Sequence, residues 1–231
     1  MSAPTPANSA LAIIDLQNDF CPPHGALAVT GGRDIAPAIN TLLSLPFALK
    51  LATRDFHPPD HISFASQHTG KKPFTDSHTI VSPKNQEEEQ TTLLWPDHCV
   101  QGTPGCELIP ELHTSSLHFI VDKGQDKRVE SYSAFGPPFR RPRVGMTELD
   151  AKLKEKGIEH VFVCGLAWDF CVQSTAVDAV EHGYSTYVIE ELTKGVDQSE
   201  DGHEKTKAEM EKSGVKVIGL ESPELDAIRK K

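Results

Sequence analysis

The chain has 231 residues, a length that suits one α/β domain with generous loops. Its formal net charge of −10 excludes a bulk electrostatic attraction to nucleic acid or to anionic membranes. Hydrophobic residues make up 38% of the chain and charged residues 24%, which excludes wholesale disorder, and no run approaches the ~20 apolar residues of a membrane span. We therefore expect a single domain over residues 10–231 that follows a flexible tail at residues 1–9.

The N-terminal residues and the cysteines indicate a reducing compartment. Residues 1–9 have neither the basic region nor the hydrophobic segment of a signal peptide. The five cysteines are an odd number, so we expect free thiols rather than a disulfide framework. The sequence therefore predicts a cytoplasmic location and leaves a nuclear or peroxisomal one open.

Apolar runs rich in β-branched residues alternate with helical patterns along the chain. Strands are predicted at residues 11–14, 47–53, 117–121, 160–165, 185–189 and 215–220, and helices at residues 35–43, 146–157, 171–182 and 200–212. This alternation predicts a doubly wound, mostly parallel α/β sheet of about six strands with helices on both faces. Two long stretches, residues 65–92 and 136–145, are predicted to be irregular, either as surface loops or as a lid over a site.

Four chemically reactive side chains follow predicted strands. Asp15, Asp55 and Lys123 come at or just after the ends of the first three strands, and Cys171 follows the fourth. The carboxyl ends of parallel strands lie at one edge of a sheet, which is where ligands bind in such folds. We therefore expect these four side chains to meet at that edge.

Cys171 is the candidate nucleophile. It falls in the first turn of a predicted helix, where the helix dipole would lower the pKa of its thiol. Asp15 is the candidate proton acceptor and donor, and Lys123 the cation that stabilises the neighbouring negative charges. Two plainer alternatives remain open: Cys171 as a small buried core residue, and Asp15 with Lys123 as a structural ion pair.

A possible metal site follows the second predicted strand. Asp55, His57 and His61 place one carboxylate and two imidazoles on a short turn stiffened by two prolines. Such a set suits a divalent transition ion that keeps open positions for water or substrate. His98 is a candidate fourth ligand or a neighbour of the site. The alternative is that these histidines are ordinary surface residues.

Taken together, these segments resemble the isochorismatase-like cysteine hydrolases and, within them, the nicotinamidase branch. The matching segments are residues 15–20, 55–64, 95–103, 123–124 and 165–172, which occur in the expected order along almost the whole chain from about residue 11 to residue 220. The isochorismatase branch generally lacks the metal motif, so its presence here favours the amidase branch.

The resemblance implies a role for each matched residue. Asp15, Lys123 and Cys171 are similar to the catalytic triad of the family. The candidate metal ligands are similar to those of a zinc ion, with iron(II) or manganese(II) as alternatives: Asp55, His57 and His61, with His98 close to the ion in some relatives.

The resemblance also implies the shape of a substrate pocket. Phe20 and Trp95 are similar to the aromatic pair that sandwiches a pyridine ring, and Tyr132 matches a segment near that pocket. Leu166 and Ala167 match a non-proline cis peptide, and the N–H groups of Ala167 and Cys171 would form the oxyanion hole. Two features depart from the family pattern: the bulky Trp168 could narrow the mouth of the pocket, and the stretch at residues 65–92 looks longer than in compact bacterial relatives.

The activity implied by the resemblance is hydrolysis of nicotinamide to nicotinate and ammonia through a cysteine thioester, in salvage towards NAD. Pyrazinamide is expected to be a second substrate. The expected partners are a small-molecule substrate, a metal ion and, in a possible homo-oligomer, further copies of the chain, but neither nucleic acid nor a membrane. Two alternatives stay open: an amidohydrolase that acts on another small amide or carbamoyl compound, and a non-catalytic ligand-binding protein of the same fold.

Overall fold

The structure, a computed structural model, describes residues 2–230. Its central sheet has six parallel strands in the order β5-β2-β1-β6-β7-β8, and β3 and β4 form a separate antiparallel hairpin. The strands are β1 (Ser9–Ile14), β2 (Leu49–Asp55), β3 (Ser77–Ser82), β4 (Asn85–Leu93), β5 (Phe119–Lys123), β6 (His160–Leu166), β7 (Ser185–Lys194) and β8 (Lys216–Ile218). The helices are α1 (Ala36–Leu43), α2 (Leu149–Glu155), α3 (Gln173–Glu181), α4 (Glu200–Lys212) and α5 (Pro223–Arg229). The predicted doubly wound α/β fold is confirmed.

The sheet is covered on both faces because successive residues of a strand point to opposite sides. In β1, which is buried along its whole length, Leu11 and Ile13 pack in one core cluster with residues of α1 and α5. The intervening residues Ala10, Ala12 and Ile14 pack in a second cluster with residues of α2, α3 and α4. The continuous apolar run of β1 is therefore typical of a central parallel strand.

The strand order reverses direction beside β1, which has β2 on one side and β6 on the other. The chain first winds outward through β2 and β5, and then returns to build β6, β7 and β8 on the opposite side. Two neighbouring strands whose connections leave in opposite directions open a crevice at their carboxyl ends. Asp15 follows β1 at this crevice, and the turn that carries Cys171 follows β6.

The predicted irregular stretch at residues 65–92 contains the hairpin β3–β4, so that part of the prediction was wrong. Its strands are mostly polar and exposed, and they lack the apolar alternation that signals a half-buried strand. Ile80, Ser82 and Thr92 are its buried residues, and Ile80 packs with Val129, Phe139 and Val144. The seven-residue helix α5 was also missed.

The second irregular stretch, residues 136–145, packs against the hairpin. The Glu88 carboxylate, from the acidic run, accepts hydrogen bonds from the backbone N–H groups of Arg140 and Arg141 at 3.1–3.2 Å. The Asn85 side chain donates to the Arg141 carbonyl at 2.8 Å. The hairpin, this stretch and the preceding residues 129–135 therefore form one supported wall beside the sheet edge, which we call the outer wall (residues 77–93 and 129–145).

Residues 2–8 of the predicted tail make hydrogen bonds to the sheet. The Pro6 carbonyl accepts from the Ala48 N–H at 2.8 Å, and the Asn8 carbonyl accepts from the Glu159 N–H at 2.9 Å. β1 already begins at Ser9. Met1 lies outside the described residues, as does Lys231 at the end of the predicted domain. Across residues 2–230, no helix is long and apolar enough to cross a membrane.

Candidate active site

Asp15 lies at the base of the crevice. Its backbone φ of 44° is in the left-handed region, which turns the chain sharply as it leaves β1. Thr53 of β2 holds it from both sides: the Thr53 Oγ1 atom accepts from the Asp15 N–H at 3.0 Å and donates to the carboxylate at 2.5 Å. Burial raises the pKa of Asp15 to about 6, although Lys123 opposes this rise. The carboxyl group can therefore gain and lose a proton near neutral pH.

Lys123, the last residue of β5, connects the charged groups. Its fully buried ammonium lies 2.9 Å from the Asp15 carboxylate, contacts the Asp55 carboxylate and donates to the Ser131 carbonyl at 3.2 Å. Its Nζ atom is 3.4 Å from the Cys171 sulfur. Burial alone would lower the pKa of Lys123, but its anionic neighbours hold that pKa well above its ordinary value. Lys123 therefore stays charged and contacts both carboxylates and the thiol.

Cys171 lies in a π-helical turn (Trp168–Val172) that precedes α3. Burial raises the pKa of its thiol well above the ordinary value, helped by Asp15 and Asp55 and opposed by Lys123. The expectation of a lowered pKa from a helix N-terminus was therefore wrong, because the thiol is buried beside two carboxylates. The resting site holds a neutral thiol beside a candidate base. The Sγ atom and one carboxylate oxygen each of Asp15 and Asp55 lie within 4.8 Å of one another.

His57 points a free nitrogen into the site. Its Nδ1 atom donates to the Gly124 carbonyl at 2.9 Å, and its buried Nε2 atom has no hydrogen-bond partner. A Cβ atom at position 124 would lie 2.4 Å from this ring, and Gly124 has a φ of 66°, so only glycine allows the ring to approach. An unpartnered buried ring nitrogen whose other nitrogen is fixed by a carbonyl is typical of a metal ligand.

His98 has the same arrangement as His57. Its Nδ1 atom donates to the Pro96 carbonyl at 2.8 Å, and its Nε2 atom lies 3.9 Å from the Asp55 carboxylate. The Nε2 atom of His57 lies 3.7 Å from the same carboxylate. Burial opposes ionisation of Asp55, but Lys123 and His57 hold its pKa below the ordinary value. Asp55, His57 and His98 therefore fit a divalent metal ion, with two nitrogens and one carboxylate oxygen within 4.8 Å of one another.

His61 is placed differently from the other two histidines. Its Nε2 atom contacts the Val129 carbonyl at 3.1 Å, and its Nδ1 atom contacts the Ser63 hydroxyl at 2.8 Å. Both ring nitrogens are therefore already engaged by the protein. The ring stacks on His57 at 4.0 Å between centroids. One ring nitrogen each of His61 and His57 and one carboxylate oxygen of Glu130 lie within 4.8 Å of one another. The structure thus favours His98 over His61 as the third ligand beside Asp55 and His57.

A narrow pocket opens above Cys171. Phe20 and Trp95 both line it, as the resemblance implies. Tyr132 lines it as well and fixes Trp95, because its hydroxyl accepts from the indole N–H at 3.0 Å and contacts the Thr92 hydroxyl at 2.7 Å. The pocket is thus mostly apolar, with a few polar groups at its base, which suits a small flat ligand.

The Leu166–Ala167 peptide is cis, as the resemblance implies. Ala167 lines the pocket next to Cys171, whereas Leu166 is fully buried in the core cluster and does not reach the pocket. Trp168 does not narrow the mouth, so that expectation was wrong. Its ring is buried and stacks on His203 at 4.5 Å between centroids, because the π-helical turn directs it away, and Phe170 lines the pocket in its place.

Five residues of the pocket were not predicted from the sequence: Leu27, Val29, Glu130, Phe170 and Val196. Leu27, Val29 and Val196 come from loops whose sequences carry no periodic signal, and Phe170 comes from the π-helical turn before α3. Glu130 has a weak signal, because it is an acidic residue in the segment Val129–Phe135, which is otherwise made of small, hydroxylated and apolar side chains. It is only 2% exposed.

Comparison with known proteins identifies the family of this site. The model of the Isochorismatase domain family matches residues 9–222, which is most of the chain. The chain belongs to this family. As an isochorismatase-domain protein it is 43% identical to a nicotinamidase of Acinetobacter baylyi over 192 residues, which cover 83% of this chain and 84% of that protein.

Two solved structures of similar proteins have the same fold. The yeast nicotinamidase Pnc1p bound to the inhibitor nicotinaldehyde superposes with a TM-score of 0.85 at 32% identity, covering 91% of this chain and 99% of the yeast chain. A pyrazinamidase of Pyrococcus horikoshii in complex with zinc has a TM-score of 0.70 at 32% identity, covering 92% of this chain and 99% of the other. This isochorismatase-domain chain is therefore similar over most of its length to enzymes named nicotinamidase or pyrazinamidase.

Proposed function

We propose that the chain is an amidohydrolase that converts nicotinamide and water to nicotinate and ammonia, and that also hydrolyses pyrazinamide. One observation carries the proposal: a buried cysteine, an aspartate of raised pKa and a lysine meet at the base of a flat aromatic pocket. The names of the relatives and structural neighbours support the substrate. The reaction would serve salvage of nicotinamide towards NAD.

The pocket would hold the pyridine ring between aromatic side chains. Phe20 and Trp95 line it, and Tyr132 prevents Trp95 from rotating by binding its indole nitrogen. Stacking orients a flat neutral ring without a charged clamp. The carboxamide would then point to the base of the pocket, where Cys171 lies.

Cys171 would attack the carboxamide carbon in the first step. As the sulfur–carbon bond forms, the thiol proton passes to the Asp15 carboxylate, which has a pKa of about 6 and can accept it. Asp15 then donates that proton to the departing nitrogen, and ammonia leaves a thioester on Cys171. Lys123 would stabilise negative charge on sulfur through its contact at 3.4 Å.

Water would release the product in the second step. Asp15, ionised again, removes a proton from the water as its oxygen attacks the thioester carbon. The carbon–sulfur bond breaks, Asp15 returns its proton to Cys171, and the carboxylic acid product loses its own proton to solvent and leaves as nicotinate. The N–H groups of Ala167 and Cys171 are the proposed donors to the oxyanion in both steps, since such donors give a large part of catalysis in acyl transfer.

Asp55, His57 and His98 would hold the metal ion. The proposed ion is zinc, supported by the zinc complex of the Pyrococcus horikoshii pyrazinamidase and by the two nitrogens and one oxygen of this site, with iron(II) or manganese(II) as alternatives. Once bound, the ion would supply Lewis-acid chemistry that helps to orient the pyridine ring. The carbonyl groups of Gly124 and Pro96 hold the two histidines in the orientation that this binding needs.

A substrate panel tests the proposal. Purified protein is incubated with nicotinamide, pyrazinamide, benzamide and a carbamoyl compound, with and without a chelator, and ammonia is measured. We expect rapid release from the first two only, because benzamide lacks the ring nitrogen, and a decrease after chelation. Release from the carbamoyl compound alone would instead identify a different amidohydrolase.

A further inference from the structure

Glu130 is a buried carboxylate that the proposed reaction does not use. It is 2% exposed and lines the pocket together with Cys171 and His98. One of its oxygens accepts a hydrogen bond from the Ser131 N–H at 2.7 Å. A carboxylate oxygen also lies within 4.8 Å of ring nitrogens of His57 and His61. Burying such a group is costly unless a positive charge lies nearby, so its presence here calls for a cation.

The charges around the pocket do not cancel without an ion. Asp15, Asp55 and Glu130 are three buried carboxylates, and the buried ammonium of Lys123 contacts the first two of them. With the three carboxylates ionised and the histidines neutral, the cluster therefore has two negative charges in excess. The exposed charges next to Glu130 in the chain and at the metal loop are already paired, since Lys127 binds Asp60 and Arg128 binds Asp126.

A divalent ion bound by Asp55, His57 and His98 would cancel this excess completely. The unpartnered Nε2 atom of His57 shows that the cluster has room for such a ligand bond. Without Glu130 the loaded pocket would instead have one positive charge. This difference matters because the proposed substrate is neutral, whereas the product is a carboxylate that forms in the same pocket.

We infer that Glu130 is a specificity-determining residue, which makes the ion-loaded pocket electrically neutral so that the neutral amide is accepted and the anionic product is expelled. The inference rests on the proposed nicotinamide hydrolysis. Because the cluster is buried, the repulsion between Glu130 and the product carboxylate is weakly screened by salt. Glu130 touches no reacting atom in this account; it acts through charge.

The experiment compares binding of product and substrate in the absence of turnover. In a Cys171→Ala background, the dissociation constants of nicotinate and nicotinamide are measured by calorimetry at pH 8, together with metal content. We expect Glu130→Gln to tighten nicotinate binding by roughly ten-fold while changing nicotinamide binding little. Glu130→Asp, which keeps the charge, should retain the original ratio of the two constants. Glu148→Gln controls for loss of one exposed negative charge that does not line the pocket.

Each outcome decides between the possibilities. An unchanged ratio of the two constants in Glu130→Gln with full metal content overturns the inference. Parallel weakening of both ligands with loss of metal also overturns it, because Glu130 would then serve only to hold the ion. If neither ligand binds to the Cys171→Ala protein with intact Glu130, the proposed function itself fails.

Discussion

The sheet edge and the outer wall contribute to the same pocket in different ways. At the edge, Asp15, Asp55 and Lys123 stand at the ends of three adjacent strands, so the order of β5, β2 and β1 fixes their mutual positions. In the outer wall, Glu130 and Tyr132 lie on a segment without regular secondary structure. That segment is supported by the hairpin through the Thr92–Tyr132 hydrogen bond and through the packing of Ile80 on Val129.

This difference in support assigns the bond-forming steps to the sheet edge and the selection of ligands to the outer wall. Strand ends are rigid, because ladder hydrogen bonds and two buried faces hold them, and they suit groups that must keep bond-forming distances. A few side-chain contacts hold the outer wall. It contributes Tyr132, whose hydroxyl binds the Trp95 indole, and Glu130, a carboxylate that the proposed reaction does not use. We therefore expect changes at the edge to abolish turnover, and changes in the wall to alter binding.

Replacement of the nucleophile gives the largest expected effect. Cys171→Ala should lower ammonia release from nicotinamide by about 10⁴-fold or more, because no other group forms the thioester. Circular dichroism and metal content should stay unchanged. Cys164→Ala is the matched control: this thiol is buried in the middle of β6 in the core cluster, so its loss should lower stability slightly and leave turnover intact. Substantial turnover by Cys171→Ala would show that the groups at the sheet edge do not carry out the reaction.

Removal of the base comes next. Asp15→Asn should lower kcat/KM by about 10³-fold, as expected for loss of a positioned proton carrier. In the unaltered protein the ionised carboxylate is the active form, and burial raises its pKa to about 6. We therefore expect kcat/KM to rise with pH and level off above 6, and to fall about ten-fold for each pH unit well below 6.

The control for this profile is Asp178→Asn, a largely buried aspartate of raised pKa that pairs with Arg140 on the outer wall. It should keep the inflection near pH 6. A flat profile down to pH 5 in the unaltered protein would contradict the role given to Asp15.

The metal ligands give an intermediate effect. His57→Ala should lower metal content and weaken nicotinamide binding by at least about ten-fold, since even residues that only orient metal ligands have effects of that size. His61→Ala should retain more metal than His98→Ala, because both ring nitrogens of His61 already bind protein atoms. Elemental analysis of the three variants and of the exposed-site control His113→Ala measures this order. Equal metal loss in His61→Ala and His98→Ala would show that His61 turns to bind the ion.

The smallest expected effect is in the outer wall. Tyr132→Phe removes the hydroxyl that binds the Trp95 indole, so KM should rise about five-fold with kcat nearly unchanged, in line with loss of one hydrogen bond. Tyr184→Phe, which removes a hydroxyl bound to Asp150 on α2, is the control. A decrease in kcat with constant KM for Tyr132→Phe would mean that the wall takes part in the chemistry.

The same division explains what the sequence could predict. Asp15, Asp55 and Lys123 were predicted because an apolar run followed by a charged residue marks the end of a parallel strand, and parallel ends converge. Glu130 and the hairpin were not, because their places depend on contacts between distant segments such as Glu88 with Arg140, which leave no periodic pattern. The pKa of Cys171 was predicted in the wrong direction, since position in a helix does not reveal burial beside two carboxylates.

Interception of the acyl intermediate tests the central claim, that Cys171 forms a thioester at the sheet edge. Nicotinamide is turned over in the presence of increasing hydroxylamine, and the acyl products are quantified by mass spectrometry together with ammonia. We predict that nicotinohydroxamate replaces nicotinate progressively while the sum of the two stays equal to the ammonia released. Nicotinate as the sole acyl product at every hydroxylamine concentration would contradict the account.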